Sequence, residues 1–141
     1  MADLEATTKQ DVLVELISSL KKASLIKSTE EVVRVILDRE KLGSTGIGDG
    51  IAIPHGKMKD LDQVLCVFGR SQKGVAFDAV DGKPAHILFL LIAPEDSAST
   101  HLKILSRISR ILRDQAFRKR LLELDSAKAM YAGVIEEDRK I

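Results

Sequence analysis

The sequence predicts an α/β layered domain, in which helices cover a sheet. Apolar residues recur at helical spacing in several segments, and other segments are short apolar runs typical of strands. The run His86–Ala93 is almost entirely apolar, which favours a central strand covered on both faces. About five helical stretches and three or four strands in a chain of 141 residues indicate one domain, spanning residues 1–141, with a proper core.

The first two elements are predicted to be helices. Within residues 9–23 the apolar side chains form one helical stripe, and Thr7 or Thr8 can cap its first turn. The stripe consists of Val12, Leu13, Leu16, Ile17 and Leu20. A second helix is expected after Ser28, because a serine followed three residues later by Glu31 forms a capping box.

Short strands and a turn are predicted in the middle of the chain. The segment Ile51–Ile53 follows a glycine-rich loop, and Val64–Gly69 is a second strand-like run. The pair Asp81–Gly82 is a strong turn signal before the run His86–Ala93. Because Cys66 lies within an apolar run, we expect it to be a small core residue.

Three helices are predicted in the last third of the chain. Residues 102–112 carry an apolar helical stripe, preceded by candidate capping residues in the segment EDSAST. Asp114 and Ser126 are predicted to cap two further helices, Gln115–Leu124 and Ala127–Glu137.

The composition argues against several classes of protein. Lys and Arg number 22 against 21 Asp and Glu, a balance that does not suit a nucleic-acid-binding protein. The charge-rich segment RILRDQAFRKR is interpreted as a solvated helix face, with a docking surface for an acidic partner as the alternative. A single cysteine indicates a reducing compartment. The N-terminus lacks a signal peptide and the longest apolar run is too short to span a bilayer, so we expect a cytoplasmic protein without membrane insertion.

His55 is the strongest candidate for a reactive side chain. Pro54 fixes its own φ and biases Ile53 towards extended geometry, while Gly56 is expected to let the chain turn away. The imidazole would then be presented at the end of a strand, in a loop on a rigid scaffold, where reactive groups tend to lie. The alternative is a surface or half-buried histidine with a structural role.

Three other side chains are weaker candidates. His101 is expected in the first turn of a helix, where a neutral imidazole can donate a hydrogen bond to an anion. Arg39 lies just before the loop that leads to His55, and it can clamp a phosphate if that loop folds back. For both residues a purely structural role is the alternative, and this is also our interpretation of His86.

The glycine-rich loop matches no nucleotide motif. It follows a predicted helix and precedes a strand, the reverse of the dinucleotide fingerprint, and no Gly-Lys-Ser/Thr completes a phosphate-binding loop. Backbone N–H groups at Gly46, Gly48 and Gly50 are candidates for anion contacts. The histidines do not have the spacing of a zinc site, so we expect neither a metal nor a cofactor.

Three segments occur together in an order that resembles one known family. They are REKLGSTGIGDGIAIPHGK, FDAVDGKPAHILFLLIAP and THLKILSRISRIL. From about Lys9 onwards the chain resembles the enzyme IIA domain of the bacterial phosphoenolpyruvate-dependent phosphotransferase system, fructose/mannitol class. The letters PHGK and THL are most similar to its nitrogen-regulatory branch. Two departures are a short segment before the first helix, which puts an edge strand in doubt, and His86 where the family often has an acid.

The resemblance implies a fold and a set of roles. The fold is a single mixed sheet of about five strands, flanked by helices on both sides. His55 would be the phosphorylated nucleophile, attacking through Nε2, with His101 as its companion that orients and stabilises the phosphoryl group. Arg39 would be the cation on the phosphate side.

The resemblance also implies partners. The donor would be a histidine-phosphorylated carrier protein of the HPr type. The acceptor would be an enzyme IIB domain in sugar uptake, or the phosphorylation state would control regulatory target proteins in nitrogen or potassium regulation. The alternative function is a purely regulatory interaction module, switched by phosphorylation and without a role in sugar transport. A metal- or nucleotide-dependent hydrolase has little support, because the motifs for it are missing.

Overall fold

The computed structural model describes residues 4–59, 61–96 and 98–124, apart from the side chains of Ala98 and Ser99. Its helices are α1 (Lys9–Lys22), α2 (Thr29–Glu40), α3 (Ala98–Leu112) and α4 (Gln115–Glu123). Its strands are β1 (Gly46–Gly48), β2 (Ile51–Ala52), β3 (His55–Met58), β4 (Leu65–Val75) and β5 (Ala85–Pro94). The predicted α/β class is therefore confirmed. The predicted helix over residues 127–137 and its cap at residue 126 lie outside the described residues.

The helices begin where their capping side chains predict. The Thr8 hydroxyl accepts a hydrogen bond from the N–H of Asp11 at the start of α1. The Ser28 hydroxyl does the same for Glu31 in α2, and the Asp114 carboxylate caps the first turn of α4. Among the described residues, no helix has the length and apolar character that a membrane crossing requires.

Strand β5 is the centre of a mixed sheet. β4 pairs antiparallel with one of its edges, while β2 and β3 pair parallel with the other edge, one after the other. β1 extends the sheet beyond β2 in antiparallel pairing, which gives the five strands that the resemblance implies. Because β2 and β3 lie in series, the chain follows one edge of β5 with an interruption at Ile53 and Pro54.

The sheet separates two apolar cores, one on each face. Leu88, Leu90 and Ile92 belong to the core formed with α1 and α2. Ile87 and Phe89 belong to the core formed with α3 and α4. Since neighbouring side chains of a strand point to opposite faces, β5 has to be apolar at every position, which explains its sequence. Helices therefore flank the sheet on both sides, as expected.

Strand β4 differs from its prediction in two ways. It continues to Val75, beyond the apolar run, because its second half pairs with the start of β5 while Gln72 and Lys73 stay exposed. Cys66 is exposed, so the prediction of a core cysteine is wrong. The alternation along the strand explains this, because its neighbours Leu65 and Val67 take the places in the α1–α2 core.

The segment before α1 borders the outer edge of β4. The N–H of Leu4 donates to the carbonyl of Arg70 at 2.8 Å, and the N–H of Ala76 donates to the carbonyl of Thr7 at 2.9 Å. Thr8 and Ala76 form an isolated parallel bridge. The described residues thus make strand-like contacts at the middle of β4 and just beyond its end, without a continuous strand between them.

A buried carboxylate fixes the end of α2. Glu40 accepts hydrogen bonds from Lys9 Nζ at 2.8 Å, and from the N–H and the hydroxyl of Thr45. Burial works to lower the pKa of Lys9, but its bonds to Glu40 and Asp78 outweigh burial and raise that pKa. Because a buried charge is costly without partners, this cluster holds α1, the end of α2 and the start of β1 together. The position of Arg39, next to Glu40, depends on it.

A buried arginine anchors α4 to the sheet. Arg70 of β4 is 3% exposed, and its Nη1 donates to carbonyl oxygens at the end of α4. The acceptors are Leu121 at 3.1 Å, Leu122 at 3.3 Å and Leu124. A cation is favourable at this end of a helix, where carbonyl groups have no partner within the helix.

Candidate functional site

His55 is the first residue of β3 and pairs with Leu91 of β5. It is half-buried, and its side chain lines an open depression in the surface. The prediction placed it in a loop after a strand. The strand instead resumes at His55, because the chain rejoins β5 directly after Pro54. The imidazole is therefore held by a paired backbone.

The tautomer of His55 follows from a single contact. Its Nδ1 lies 2.8 Å from the carbonyl oxygen of Ile53. A carbonyl oxygen only accepts hydrogen bonds, so Nδ1 carries the proton and the lone pair of the neutral ring is on Nε2. Ile53 lies in the gap between β2 and β3, where no ladder partner competes for that oxygen among the described strands.

Gly56 has a different role from the one predicted. The chain does not turn away at this residue, which continues β3 opposite Ile92. A Cβ atom at Gly56 would lie 3.0 Å from Cγ1 of Val35 and 3.1 Å from Cδ1 of Ile36. The glycine is therefore needed because α2 packs directly against β3. This close packing brings the end of α2 to His55.

His101 lies in the first turn of α3 and faces His55. The two ring centroids are 5.4 Å apart and the rings are inclined by 71°. His101 is 4% exposed, and its Nδ1 has no hydrogen-bond partner among the described residues. Burial lowers the pKa of His101 below its usual value, and the nearby charges of His55 and Lys57 lower it further. The ring is therefore neutral near pH 7.

Arg39 lines the same depression from the last turn of α2. It is half-buried, and its Nη1 donates to the carbonyl of Gly43 at 3.1 Å. The depression has a volume of about 520 Å³ and opens to solvent between α2, β3 and α3. The structure thus brings together the three predicted side chains, His55, His101 and Arg39, from three different elements.

Several residues of the depression were not predicted to belong to a site. Lys57 lies two residues after His55 in β3, Asp38 adds an exposed carboxylate from α2, and Leu42 and Leu102 form apolar parts of the rim. Leu42 is 84% exposed and Leu102 is 66% exposed. The period of a strand would have placed Lys57 on the side of His55, had residues 55–58 been assigned to a strand. Nothing in the local sequence distinguishes the two leucines from core residues.

The glycine-rich loop lies elsewhere. Its three candidate anion contacts, Gly46, Gly48 and Gly50, are not among the residues that line the depression. The N–H of Asp49 already donates to the Asp81 carboxylate at 3.1 Å. Gly48 and Gly50 have φ of +92° and +77°, which a glycine adopts without strain. The glycines therefore serve the turn between β1 and β2, and this geometry gives the predicted backbone anion contacts no support.

His86 also lies outside the depression. Its Nδ1 is 2.8 Å from the carbonyl of Ser71, which joins the start of β5 to β4. This placement agrees with the structural interpretation of His86. His86 lines a different depression, which also contains Lys83, Arg118 and Lys119 but neither of the other two histidines.

The arrangement has the properties of a site for reversible phosphoryl transfer. It offers a half-buried imidazole with a free Nε2 lone pair, a neutral imidazole beside it, and two cationic side chains against the one carboxylate of Asp38. The depression opens to solvent, so a group that another protein carries can approach His55.

The chain belongs to the family described as "Phosphoenolpyruvate-dependent sugar phosphotransferase system, EIIA 2", whose sequence model matches residues 1–137. It is 42% identical over 130 residues to a nitrogen regulatory protein of Bradyrhizobium diazoefficiens, covering 92% of this chain and 84% of that protein. It is 39% identical over 137 residues to the fructose-specific EIIABC component of Bacillus subtilis. That match covers 97% of this chain but only 22% of the relative.

Solved structures support the same assignment. The nitrogen regulatory protein IIA-Ntr from Neisseria meningitidis superposes with a TM-score of 0.88 at 34% identity, covering 94% of this chain and 90% of that one. The enzyme IIA mannitol in a complex with phosphorylated enzyme IIB mannitol, both from Escherichia coli, gives a TM-score of 0.78 at 25% identity. That match covers 99% of this chain and 92% of the other. The expected resemblance to the enzyme IIA family is confirmed.

Proposed function

We propose that the protein is a phosphohistidine carrier, which accepts a phosphoryl group on Nε2 of His55 and passes it to another protein. The observation that carries this proposal is the hydrogen bond from His55 Nδ1–H to the Ile53 carbonyl. It leaves the lone pair on the ring nitrogen that is free to attack. Membership of the phosphotransferase family supports a role in phosphoryl transfer.

The proposed transfer exchanges one N–P bond for another, so it requires no additional reactant. The Nε2 lone pair attacks the phosphorus of a phosphohistidine on the donor, a new N–P bond forms and the donor's N–P bond breaks. The electron pair of the broken bond returns to the donor imidazole. As Nε2 bonds to phosphorus, positive charge develops on the His55 ring, and the Ile53 carbonyl stabilises it through Nδ1–H. Since the transition state is loose and in line, positioning and charge supply most of the catalysis.

His101 and Arg39 are proposed to hold the phosphoryl oxygens. The buried Nδ1 of His101 has no partner to receive a proton, so the proton of the neutral ring belongs on Nε2, from which it can be donated. Arg39 has further N–H groups besides the one that bonds to Gly43. Lys57 adds a positive charge on the same side.

The proposed partners are a histidine-phosphorylated carrier of the HPr type as donor, and an enzyme IIB domain or a regulatory target as acceptor. The related enzyme IIA mannitol has been solved in a complex with a phosphorylated enzyme IIB, which supports the IIB partner here. The exposed Leu42 and Leu102 on the rim give such partners an apolar contact on either side of His55.

The first experiment measures phosphoryl uptake from a ³²P-labelled, histidine-phosphorylated carrier protein. We expect one acid-labile, base-stable phosphoryl group on His55, and none in His55→Ala. A protein that stays unlabelled although the donor is active would refute the proposal.

Matched variants separate the site from other histidines. His101→Ala and Arg39→Ala should keep the nucleophile but lose about 10²–10³ in transfer rate, as for the removal of one charge-stabilising donor. His86 lies outside the depression, and its Nδ1 also bonds to a carbonyl oxygen, as that of His55 does. The transfer rate of His86→Gln should therefore be unchanged. An equal loss of transfer rate in His86→Gln and His101→Ala would show that the substitutions disturb the fold and not the site.

The alternative is a purely regulatory module, in which phosphorylation is only a switch. The 42% identity to a nitrogen regulatory protein supports this regulatory function. The two functions are distinguished by offering the labelled protein a IIB domain and its sugar. Onward movement of the label to the sugar indicates transport. A label that stays on His55 and changes partner binding indicates regulation alone.

A further inference from the structure

A second depression lies between the start of β5 and helix α4. It has a volume of about 510 Å³ and opens to solvent. Its walls are the loop that leads into β5, the turn between β1 and β2, and one side of α4. None of the described residues that line it also lines the depression around His55. We refer to it as the β5–α4 pocket.

The two depressions lie at different places along β5. His55 pairs with Leu91, and His86 of the β5–α4 pocket lies five residues earlier in the same strand. At about 3.3 Å per residue, these two positions of β5 are separated by roughly 17 Å. The β5–α4 pocket is therefore a separate place on the molecule, which the proposed phosphoryl transfer does not use.

Three cationic side chains line the pocket from two sides. Lys83 lies in the loop before β5, while Arg118 and Lys119 lie on α4. The two lysines are exposed. Arg118 is half-buried, and its Nη1 donates to the carbonyl of Leu112 at 2.6 Å, which leaves other N–H groups of the guanidinium for a ligand. Cations on two walls of a pocket can bind one anion together.

Two carboxylates reduce the positive charge of the pocket. Asp81 accepts hydrogen bonds from the N–H groups of Lys83 and Asp49, each at 3.1 Å, and these bonds lower the pKa of its carboxyl group. Its oxygens therefore serve the turn before β5. The carboxylate of Asp49 has no hydrogen-bond or ion-pair partner among the described residues. Three cations against two carboxylates leave an excess of one positive charge.

The pocket also offers hydrogen-bond acceptors. His86 Nδ1 lies 2.8 Å from the carbonyl oxygen of Ser71, so Nδ1 carries the proton and Nε2 of the neutral ring is an acceptor. No described residue bonds to this Nε2. The ionised carboxylate of Asp49 likewise only accepts hydrogen bonds. A ligand that pairs with the cations and with these two acceptors has to carry donors as well as negative charge.

Part of the wall is aliphatic. Pro84, Ile87 and Leu122 line the pocket and can pack against the carbon atoms of a ligand. Phe, Tyr and Trp are absent from the described residues that line it, so a nucleobase would have no such ring to stack on.

We propose that the β5–α4 pocket binds a small phosphorylated sugar or polyol. Its phosphate group lies between Lys83 and the α4 cations Arg118 and Lys119, and its hydroxyl groups donate to Asp49 and to Nε2 of His86. A monocarboxylate would bring a single charge to three cations, and inorganic phosphate would bring too few donors for the two acceptors. The volume of about 510 Å³ is in the range of small-molecule sites.

The first test titrates the ¹⁵N-labelled protein with ribose 5-phosphate and follows the amide signals by NMR. We expect saturable shifts at residues 81–87 and 115–122, with a dissociation constant on the order of 1 mM. Ribose should cause no saturable shifts, and inorganic phosphate should bind several-fold more weakly. Shifts confined to the depression around His55, or no saturation at about ten times that concentration, would overturn the proposal.

A double variant tests the cations of the pocket. Lys83→Gln with Lys119→Gln removes two charges, and neither ammonium group is hydrogen-bonded to a described residue. We expect ribose 5-phosphate to bind on the order of tenfold more weakly. The matched control, Lys21→Gln with Lys22→Gln, removes the same charge from the exposed end of α1 and should keep the affinity. An equal loss in both would show unspecific attraction and no site.

Asp49→Asn tests the hydroxyl contacts. The substitution removes a negative charge, so inorganic phosphate should bind more tightly. Ribose 5-phosphate gains from the same change but loses an acceptor oxygen for its hydroxyl groups, so its advantage over inorganic phosphate should shrink. Asparagine tolerates the φ of +57° at this position, so the backbone is kept. An unchanged ratio of the two affinities would refute these contacts.

Two further titrations test the class of the ligand and the separation of the two depressions. Adenosine monophosphate and glutamate represent nucleotides and amino acids, and tighter binding of either than of ribose 5-phosphate would refute the assigned class. The inference does not depend on phosphorylation of His55, so His55→Ala should bind ribose 5-phosphate as the wild type does. Loss of binding in this variant would show that the ligand occupies the depression around His55 instead.

Discussion

At the scale of single residues, His101 is unusual because it is a buried imidazole with an unpaired nitrogen. Burial lowers its pKa, and the charges of His55 and Lys57 add to that effect. The folded protein therefore binds fewer protons at this side chain than the unfolded chain does, in the range between the lowered value and about 6.5. Stability should rise with pH through this range and be lost as the pH falls.

We predict that His101 titrates with a midpoint below pH 6.5 when its imidazole signals are followed by NMR. The melting temperature should fall as the pH is lowered from 7.5 to 5.5, because the buried ring has to accept a proton. His101→Gln should weaken this dependence, since the amide does not titrate. A midpoint at or above 6.5, or the same dependence in the variant, would contradict the assignment.

The sequence predicted which side chains lie together better than it predicted their surroundings. His55, His101 and Arg39 line one depression, but the reason assigned to Gly56 was wrong. A glycine is needed at residue 56 because Val35 and Ile36, about twenty positions earlier in the chain, leave no room for a Cβ atom. A contact of this kind depends on tertiary packing and has no local signal.

At the scale of elements, the contact between α2 and β3 places Arg39 beside His55. A methyl group at residue 56 would meet side-chain atoms of Val35 and Ile36 at 3.0 and 3.1 Å. These distances are shorter than ordinary packing, so the helix or its side chains would have to shift. Because Arg39 lies one turn further along α2, such a shift would also displace the cation of the site.

We therefore predict that Gly56→Ala costs about 1–3 kcal/mol of stability, as overpacking does, and slows phosphoryl uptake. Stability is measured by urea denaturation and uptake with the labelled donor. Adding Val35→Ala removes one of the two close atoms and should restore part of both losses. A fully stable and active Gly56→Ala would show that α2 does not depend on this contact.

The sheet shows which elements are predictable from sequence and which are not. β5 and the capped helices follow from apolar composition and capping side chains, which act over a few residues. The division of residues 51–58 into β2 and β3 cannot be predicted in this way, because both strands depend on pairing with β5, which lies about thirty-five residues later. Exposed Cys66 has the same explanation, since a strand within an apolar run still alternates between a covered and an open face.

At the scale of the whole molecule, β5 belongs to both cores. Leu90 is fully buried against the layer of α1 and α2, and Phe89 is buried against the layer of α3 and α4. Loss of either core would expose one face of the same strand. The two layers should therefore unfold together, although they have few direct contacts with each other.

The prediction is that Leu90→Ala lowers the stability by about 2–5 kcal/mol and Phe89→Ala by about 3–5 kcal/mol. Amide hydrogen exchange should show weaker protection in both α1 and α4 for either variant. Val80→Ala, at a position that is 85% exposed, is the control and should change stability by less than about 0.5 kcal/mol. Separate transitions for the two helical layers would contradict the shared strand.

If His55 carries a phosphoryl group as proposed, the gap between β2 and β3 affects how long a partner has to stay bound. The Ile53 carbonyl orients the His55 ring before any encounter, so no tautomer exchange or ring reorientation has to precede the reaction. A collision that aligns the two proteins is therefore immediately productive. Under the proposed function, brief encounters of low affinity would then be enough for rapid transfer from a donor to an acceptor.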